Sequence, residues 1–436
     1  MKIAVIGAGY VGATTSVIFA KNGHKVTVID KDQEKIKQFN QSILPFYEEG
    51  VEELLKEFIL DAKISFTSNL EESIEPCDLI FITVGTPSLE NGEADLTYVE
   101  EVAREIGRLI NDYKVIVTKS TVPIGTGDKL KGIILNELSK RKLEISFDLV
   151  SNPEFLREGK ALHDALYPER VVIGTDSEKA QKIMEELYKE VDSKIIFTTV
   201  KNAEMIKYAS NAFLATKISF INELARLCDQ IGVNVNQVAK GMGMDSRIGP
   251  HFLQAGIGYG GSCFPKDIKA LLTLAAENQN PMHILQAVSY VNQTQAEWFM
   301  EKVSQVFGTL SGRHIAILGL TFKPQTDDIR EASSLKIIEF LLKNQASITA
   351  YDPKGAEHVK KLFPNINYAS TPLDALKGAD ALLIVTEWNE IINIDWQSAI
   401  NLVSQPFVFD GRNTLDPFKM LKLGYRYFGV GNTNFE

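Results

Sequence analysis

The chain has 436 residues, of which 44% are hydrophobic and 23% are charged, and its mean hydropathy is −0.05. These values fit a globular protein and exclude collagen-like, disordered and disulfide-rich chains. The net charge of −10 repels the phosphate backbone of nucleic acid, so we do not expect nucleic acid as a partner.

Short apolar runs alternate with helical stretches from the first residues onward. The pattern predicts strands over 3–6 and Lys25–Ile29 with a helix over 14–21 between them. Further strands are predicted over 78–84, 115–118 and 147–150. Strands separated by helices favour parallel βαβ units in a doubly wound sheet.

A glycine turn links the first predicted strand to the first predicted helix. Gly7, Gly9 and Gly12 form a G-x-G-x-x-G motif, and Asp30 ends the next strand. Such a turn allows a pyrophosphate to approach the backbone at a helix N-terminus, and the acid can bind the ribose hydroxyls. The motif therefore predicts a dinucleotide site that prefers NAD to NADP, although Lys31 and Lys35 weaken that preference slightly.

The middle of the chain is predicted to be helical. Residues 202–231 are helix-favouring and free of proline, which predicts a helix of roughly 45 Å. Further helices are predicted near 268–277 and 283–306. A helix as long as the first often links domains or forms a subunit interface.

A glycine-rich segment between these helices ends in a cysteine. In "GYGGSCFPKD" the glycines make a loop that a ligand can approach, and the loop amides and Lys266 favour the reactive thiolate of Cys263. Asp267 could position a water or a lysine. The alternative is a small buried cysteine, which is the interpretation we prefer for Cys77 and Cys228.

A nucleophilic thiol beside a nicotinamide indicates a particular reaction. An alcohol is first oxidised to an aldehyde, and the thiolate then adds to the aldehyde to give a thiohemiacetal. A second oxidation gives a thioester, which water converts to a carboxylate. The sequence therefore suggests an alcohol-to-acid oxidation that consumes two NAD.

The α/β pattern returns after Ser311 and Gly312. Strands are predicted over 314–320, Ser347–Tyr351, 381–386 and 406–409, with a helix over 333–344. "KIAVIGAG" near the start pairs with "HIAILGLT" here. We therefore predict an α/β protein with two Rossmann-like, doubly wound parallel-sheet domains, joined by a long central helix and a helical middle domain. The predicted boundaries are 1–200, 201–308 and 309–436.

The second unit has a different glycine turn. Gly319 is followed by Leu320, Thr321, Phe322 and Lys323, and the later glycines of the first motif are missing. One interpretation is a site for another nucleotide, held by the charge of Lys323. The other is a degenerate repeat that is retained for packing, and the residues alone do not decide between them.

The cysteines, the histidines and the apolar runs bear on the cellular compartment, on metal binding and on membrane association. Three cysteines cannot make a disulfide framework, which favours the reducing cytoplasm. Neither they nor the six histidines have the spacing of a metal site, so we expect no bound metal. No apolar run has the length of a membrane span, so no membrane partner is expected.

Seven segments together resemble one family. They are "KIAVIGAGYVG", "KSTVPIGT", "SNPEFLREG", "KYASNAFLATKISFINE", "GMDSRIGPHFLQAGIGYGGSCFPKD", "GLTFKPQTDDIREA" and "DGRN". In this order they are similar to the UDP-glucose 6-dehydrogenases of the UDP-glucose/GDP-mannose dehydrogenase family. The resemblance covers nearly the whole chain and implies an oxidoreductase that converts UDP-glucose to UDP-glucuronate with two NAD and water. Such an enzyme would supply polysaccharide biosynthesis.

The resemblance also implies catalytic roles. Cys263 would be the nucleophile, and Lys207 would stabilise the oxyanion that develops during the reaction. Asn211 would hold the sugar or a water, and Asp267 would orient these groups. Glu154 would relay protons, through water and with Thr121.

Binding residues follow from the same resemblance. Those implied for NAD are Gly7, Gly9, Tyr10, Val11, Gly12, Asp30, Lys35, Thr86, Thr121, Glu158, Lys266 and Arg330. Those implied for the sugar nucleotide are Glu154, Phe155, Leu156, Lys207, Asn211, Arg247, Phe252, Leu253, Gly256, Gly260, Lys323 and Arg412. Arg247 matches a position that reaches the partner subunit's site, which implies a homodimer or a larger homo-oligomer.

Three alternatives remain open at this point. The same chemistry could act on GDP-mannose or on a UDP-N-acetylhexosamine. The chain could be a simple two-electron dehydrogenase of a hydroxy acid, which would have no use for Cys263. It could also be a non-catalytic protein that binds NAD, although the presence of Cys263, Lys207 and Asp267 argues against that.

Overall fold

The computed structural model describes residues 1–432, which form two compact units. The first comprises Met1–Ser210 and Lys269–Asn278, and the second comprises Asn211–Ile268 and the chain from Gln279 onward. The division at 200 and 308 into three domains stays a prediction.

The first unit is built on an eight-stranded sheet. Its strands are β1 (Lys2–Ile6), β2 (Lys25–Ile29), β3 (Ile64–Thr67), β4 (Leu79–Ile82), β5 (Lys114–Thr118), β6 (Phe147–Ser151), β7 (Arg170–Gly174) and β8 (Lys194–Thr198). The order is β3-β2-β1-β4-β5-β6-β7-β8, and its first six strands have the parallel order of a Rossmann sheet. β7 and β8 are parallel to each other, and β7 is antiparallel to β6.

Helices cover both faces of this sheet. They are α1 (Tyr10–Lys21), α2 (Gln33–Asn40), α3 (Val51–Leu60), α4 (Leu70–Ile74), α5 (Thr97–Leu109), α6 (Thr126–Lys140), α7 (Ala161–Leu166) and α8 (Glu178–Tyr188). Alternate side chains of β1 enter opposite cores: Ile3 and Val5 lie in one, and Ala4 and Ile6 lie in the other. Burial on both faces explains why the strand sequences are almost continuously apolar.

Four helices follow in the middle of the chain. They are α9 (Val200–Ile231), α10 (Val235–Gly243), α11 (Phe264–Glu277) and α12 (His283–Phe307). The long central helix is confirmed as the single element α9. The predicted helix near 268–277 begins four residues earlier, at Phe264, because a proline such as Pro265 is tolerated in the first turn of a helix. Cys263 therefore directly precedes a helix.

The second unit contains a six-stranded, fully parallel sheet. Its strands are β9 (His314–Leu318), β10 (Ser347–Tyr351), β11 (Asn367–Tyr368), β12 (Ala381–Ile384), β13 (Phe407–Asp410) and β14 (Arg426–Gly429). Its helices are α13 (Ser333–Lys343), α14 (Ala356–Leu362), α15 (Pro372–Leu376), α16 (Asn389–Ile392), α17 (Trp396–Ala399) and α18 (Pro417–Lys422). The order β11-β10-β9-β12-β13-β14 is again that of a Rossmann sheet, so the predicted fold class is confirmed.

Residues 1–432 contain neither a membrane-spanning helix nor a cluster of metal-binding side chains. In this part of the chain no helix combines the length and the apolar character needed to cross a membrane. The same residues contain no group of three or more His, Cys, Asp or Glu side chains arranged to hold a metal ion.

Candidate active site

The first glycine turn has the geometry of a dinucleotide cradle. Gly7 has a φ of +109°, and a Cβ there would lie 2.9 Å from the backbone of Thr83. A Cβ on Gly12 would lie 1.9 Å from the carbonyl oxygen of Gly7, so glycine is required at both positions. Gly9 is different, because a Cβ there would meet no atom within 4 Å. Gly9 precedes α1, where Tyr10 and Val11 begin the helix. The open space beside Gly9 at a helix N-terminus fits the pyrophosphate of NAD.

Asp30 lies beside this turn with an ordered carboxylate. Its Oδ2 accepts hydrogen bonds from the peptide N–H of Ala8 at 2.8 Å and from Lys35 Nζ at 3.1 Å, and its Oδ1 accepts one from Asp32 N–H at 3.0 Å. Partial burial opposes ionisation, but the Asp32, Ala8 and Lys35 hydrogen bonds outweigh it and hold the pKa of Asp30 below its usual value. Asp30 is therefore an anion suited to bind ribose hydroxyls and to repel a 2′-phosphate.

Two threonines predicted for the cofactor site are in contact. The buried Thr86 donates from Oγ1 to the carbonyl oxygen of Thr121 at 2.8 Å. A side chain of α9 holds the loop after Thr121. Glu204 accepts hydrogen bonds from Gly125 N–H at 2.6 Å and from Gly127 N–H at 2.8 Å. Sequence reasoning did not identify Glu204, whose buried carboxylate holds the N-terminal end of α6.

Glu154 and Lys207 form a buried ion pair within the first unit. Lys207 Nζ lies 2.9 Å from Glu154 Oε1 and also donates to the Glu154 carbonyl oxygen at 2.7 Å. Both side chains are at least nine-tenths buried. The Oε2 atom accepts from Leu156 N–H at 2.5 Å. The carboxylate therefore has a fixed orientation and a cation beside it, which suits a group that relays protons.

Phe155 lies against two cations. The guanidinium of Arg170 stacks 4.0 Å from the centre of its ring, and Lys207 Nζ lies 5.3 Å from that centre. Arg170 also donates to Ser210 Oγ at 3.3 Å. Arg170 was not predicted, although it ends the motif "PER" and is the first residue of β7. It holds the Phe155 ring in place.

The second unit brings together Cys263, Asp267 and Asn211. Cys263 is partly exposed, and its Sγ lies 3.6 Å from Ser262 Oγ. One turn into α11, the Asp267 carboxylate is buried and accepts from Asn211 Nδ2 at 2.6 Å and from Lys266 Nζ at 2.8 Å. The Asp267 peptide N–H donates to the Cys263 carbonyl at 2.9 Å. A partly exposed thiol at a helix N-terminus is favourably placed for nucleophilic chemistry.

The glycine loop before Cys263 is packed against other backbone segments of the second unit. A Cβ on Gly260 would lie 2.2 Å from the Glu331 carbonyl oxygen, and one on Gly256 would lie 2.9 Å from that of Gly411. Arg412 donates to the carbonyls of Gly258 at 3.3 Å and of Phe322 at 3.1 Å. Glycine is therefore needed for close packing, and Arg412 ties the loop to the second glycine turn.

The remaining predicted residues have varied surroundings. Leu253 is buried, and Phe252 has a φ of +63°. The ammonium of Lys323 lies 5.4 Å from the Phe322 ring centre. Two arginines are exposed ion-pair partners of nearby aspartates, Arg247 with Asp245 and Arg330 with Asp328. Glu158 is partly buried in the first unit. The ligand assigned to each of these residues stays a prediction.

Two buried residues beside the Glu154–Lys207 pair were also not predicted. Lys119 Nζ donates to Asn152 Oδ1 at 3.1 Å. Both lie in motifs quoted for the family resemblance, "KSTVPIGT" and "SNPEFLREG". Lys119 directly follows the predicted strand over 115–118, and Asn152 lies two positions after the end of the one over 147–150. This is the sheet edge where ligands bind in such folds, and that position was the available signal.

The chain matches three domains of one protein family. The NAD binding domain of the UDP-glucose/GDP-mannose dehydrogenase family matches residues 1–192. The central domain of that family matches residues 201–294, and its UDP binding domain matches residues 316–417. The three models follow one another along most of the chain.

Individual relatives match over full length. UDP-glucose 6-dehydrogenase TuaD of Bacillus subtilis (strain 168) is 46% identical over 431 residues, which cover 99% of this chain and 93% of that protein. A solved UDP-glucose dehydrogenase from the archaeon Pyrobaculum islandicum is 36% identical with a TM-score of 0.91, covering 99% of this chain and 97% of that one. A solved UDP-D-ManNAc dehydrogenase from Pyrococcus horikoshii is 27% identical with a TM-score of 0.88, covering 100% of both chains.

Proposed function

Because this chain belongs to the UDP-glucose/GDP-mannose dehydrogenase family, we propose that it oxidises UDP-glucose to UDP-glucuronate with NAD as the oxidant. The observation that carries the proposal is the partly exposed Cys263 directly before α11, in a chain that also holds a dinucleotide cradle. A two-electron dehydrogenase has no use for such a thiol. A four-electron oxidation needs it to hold the aldehyde.

The reaction balances over four electrons. The primary alcohol and one water give a carboxylate, while two NAD become two NADH and three protons are released. The aldehyde carbon accepts the Cys263 thiolate to form a thiohemiacetal, and oxidation of this adduct gives a thioester. Water attacks the thioester carbon, the carbon–sulfur bond breaks, and the thiolate leaves.

The side chains of the site supply charge and proton transfer. We propose that Lys207 donates to the oxyanion that develops at the reacting carbon, and that Asn211 holds the sugar or a water. Asp267 fixes Asn211 through a 2.6 Å hydrogen bond. Glu154 is proposed to relay protons from the alcohol and from the hydrolytic water, with Thr121 helping to hold that water.

The residues of the first glycine turn fit NAD. Gly7 and Gly12 allow the tight turn, Gly9 leaves space for the pyrophosphate, and we propose that the Asp30 carboxylate accepts hydrogen bonds from ribose. We propose additional NAD contacts from Thr86, Glu158, Lys266 and Arg330. When bound, NAD supplies the hydride acceptor for both oxidations.

UDP-glucose is the substrate that the similarities favour. TuaD, which is named as a UDP-glucose 6-dehydrogenase, is 46% identical to this chain, whereas the UDP-D-ManNAc dehydrogenase is 27% identical. We propose that the glycine loop, Lys323 and Arg412 hold the nucleotide and that Phe155 borders the sugar. Parallel assays with GDP-mannose and UDP-N-acetylhexosamines test this choice, and a preference for either would refute it.

The deciding experiment is the yield of NADH with UDP-glucose limiting and NAD in excess. We expect two NADH for each UDP-glucose, with UDP-glucuronate as the product by mass spectrometry. Cys263→Ser should lose the second oxidation, while its affinity for NAD stays unchanged. A yield of one NADH, or normal turnover by Cys263→Ser, would contradict covalent catalysis.

We further propose that the chain acts as a cytoplasmic homodimer or larger homo-oligomer. Three cysteines without a disulfide suit a reducing compartment.

An apolar stripe on α9 supports the oligomer. It consists of Phe213, Phe220 and Leu227, which recur every seven residues and are each 47% exposed or more. Such an apolar stripe suits a partner helix, and Arg247 matches a family position that enters the partner subunit's site. Light scattering tests this: Phe220→Glu should give monomers, and a monomeric native chain would refute the proposal.

A further inference from the structure

A second buried lysine lies beside the Glu154–Lys207 pair. Lys119 follows β5 directly, and its peptide N–H donates to the carbonyl of Ile82 at 2.9 Å. The residue is 9% exposed. Burying an ammonium group is unfavourable unless polar partners replace its water, and such a residue in a functional region needs a reason.

The ammonium of Lys119 is held by an oriented amide. Asn152 Oδ1 accepts from Lys119 Nζ at 3.1 Å and from Tyr188 OH at 2.6 Å. The amide nitrogen of Asn152 donates to the Val172 carbonyl at 2.9 Å, which fixes which end of the amide faces the lysine. The position of the Lys119 ammonium is therefore set by β6, β7 and α8.

Two charges act electrostatically on this ammonium: the Glu154 carboxylate and the Lys207 ammonium. Burial lowers the pKa of Lys119 to about 8, Glu154 opposes that shift, and Lys207 adds to it. Tyr188 also faces the group through Asn152, and burial raises the pKa of its phenol, so it stays neutral. The cluster therefore holds two lysines and one carboxylate near neutral pH.

We propose that Lys119 is a positioning residue that acts through Glu154, supplying a second positive charge to this carboxylate while Lys207 donates to the substrate. The inference rests on the proposed function, in which Lys207 serves the oxyanion and Glu154 relays protons. An ion pair with a single lysine would leave Glu154 without a cation whenever that lysine is engaged by substrate. A second cation beside the pair prevents this, and Asn152 keeps it in place.

The test compares pH profiles of kcat/KM for the native enzyme and Lys119→Met. Loss of the cation removes a favourable interaction with the Glu154 carboxylate, so the acid limb of kcat/KM should move to higher pH by about one unit. Above pH 8 the native Lys119 loses its own charge, so the two profiles should converge there. Lys119→Arg should restore the native acid limb, and Lys119→Gln should behave as Lys119→Met does.

Tyr188→Phe is the matched control. It removes the 2.6 Å hydrogen bond on the other side of Asn152 and leaves every charge in place. The acid limb of its kcat/KM profile should therefore lie at the same pH as that of the native enzyme, whatever its turnover rate. Profiles of Lys119→Met and native enzyme that superimpose after scaling would overturn the proposal, as would an equal shift in Tyr188→Phe.

A second measurement needs no turnover. The charged form of Lys119 is disfavoured in the fold, so its destabilising effect is fully present below pH 8 and is relieved as pH rises towards 10.5, its ordinary pKa. Lys119→Met should therefore have a higher urea midpoint than the native chain at pH 7, and this advantage should shrink by pH 10. A constant difference would mean that Lys119 is not a buried cation. An absence of activity with UDP-glucose would instead refute the proposed function and leave this result standing.

Discussion

The first six strands of the eight-stranded sheet have the same order as the six strands of the second sheet, but the first turns of the two sheets differ. In the first unit the chain turns at Gly7, and α1 begins at Tyr10. In the second unit it turns at Gly319, with a φ of +94°, and the next helix begins at Ser333. A dinucleotide cradle needs a helix N-terminus directly after the turn. Shared topology therefore does not give the two turns the same ligand.

The aspartates that directly follow β2 and β10, Asp30 and Asp352, also have different surroundings. Asp352 is buried, and its Oδ2 accepts from Leu320 N–H at 2.6 Å, Thr321 N–H at 3.1 Å and Trp388 Nε1 at 3.0 Å. Its Oδ1 accepts from Gly355 N–H at 2.7 Å. Asp30 has fewer donors and a side chain that is 12% exposed. We infer that Asp352 fixes a turn, while Asp30 remains available to ribose.

The largest effect should follow from Asp352→Ala. The substitution leaves several buried N–H groups of the second turn without an acceptor, so the free energy of unfolding should fall by about 3 kcal/mol or more. Urea denaturation measures this. NAD affinity, measured by calorimetry under folding conditions, should not change. A loss of NAD affinity with unchanged stability would reverse the roles that we assign to the two acids.

The sequence predicted the cradle because its determinants are local. Gly7, Gly12 and Asp30 lie within one βαβ unit whose two strands were predicted. The helix begins at Tyr10, four residues before its predicted start, so Gly12 lies inside it. The burial of Lys119 could not be predicted, because it depends on Asn152 and Tyr188 from other strands and helices. A lysine after a strand ordinarily lies at the surface.

The region around Cys263 was predicted in part. Its glycines indicated a ligand loop, but Pro265 concealed that the helix begins at Phe264. Arg412 was assigned to the sugar nucleotide by family resemblance, and the structure shows it bonded to backbone carbonyls. Long-range packing of this kind is not encoded in a local pattern.

The next effect in size should be that of Asp30→Ala on NAD binding. Loss of hydrogen bonds between a carboxylate and ribose should raise the Kd for NAD by about 10- to 100-fold, since each tenfold corresponds to about 1.4 kcal/mol. Isothermal titration calorimetry measures this, with Asp352→Ala as the matched control. The discrimination against NADP should also fall, because Lys35 remains. Equal NAD affinity in native and Asp30→Ala chains would show that Asp30 serves the turn alone, as Asp352 does.

The smallest expected effect is that of a substitution at Gly9, which tests the open space beside this residue. This residue has φ −83° and ψ −172°, which alanine also adopts, and a Cβ there meets no protein atom within 4 Å. Gly9→Ala should therefore change the free energy of unfolding by less than about 1 kcal/mol, the usual scale of an N-cap exchange. The added methyl group would occupy space that the pyrophosphate needs, so NAD should bind about tenfold more weakly.

The control is Gly23→Ala, where the added Cβ also meets no atom within 4 Å but the φ is +85°. This substitution should lower the free energy of unfolding and leave the affinity for NAD unchanged. If Gly9→Ala bound NAD normally, the open space at the first turn would not be the pyrophosphate site, and the contrast with the second turn would rest on Asp30 alone.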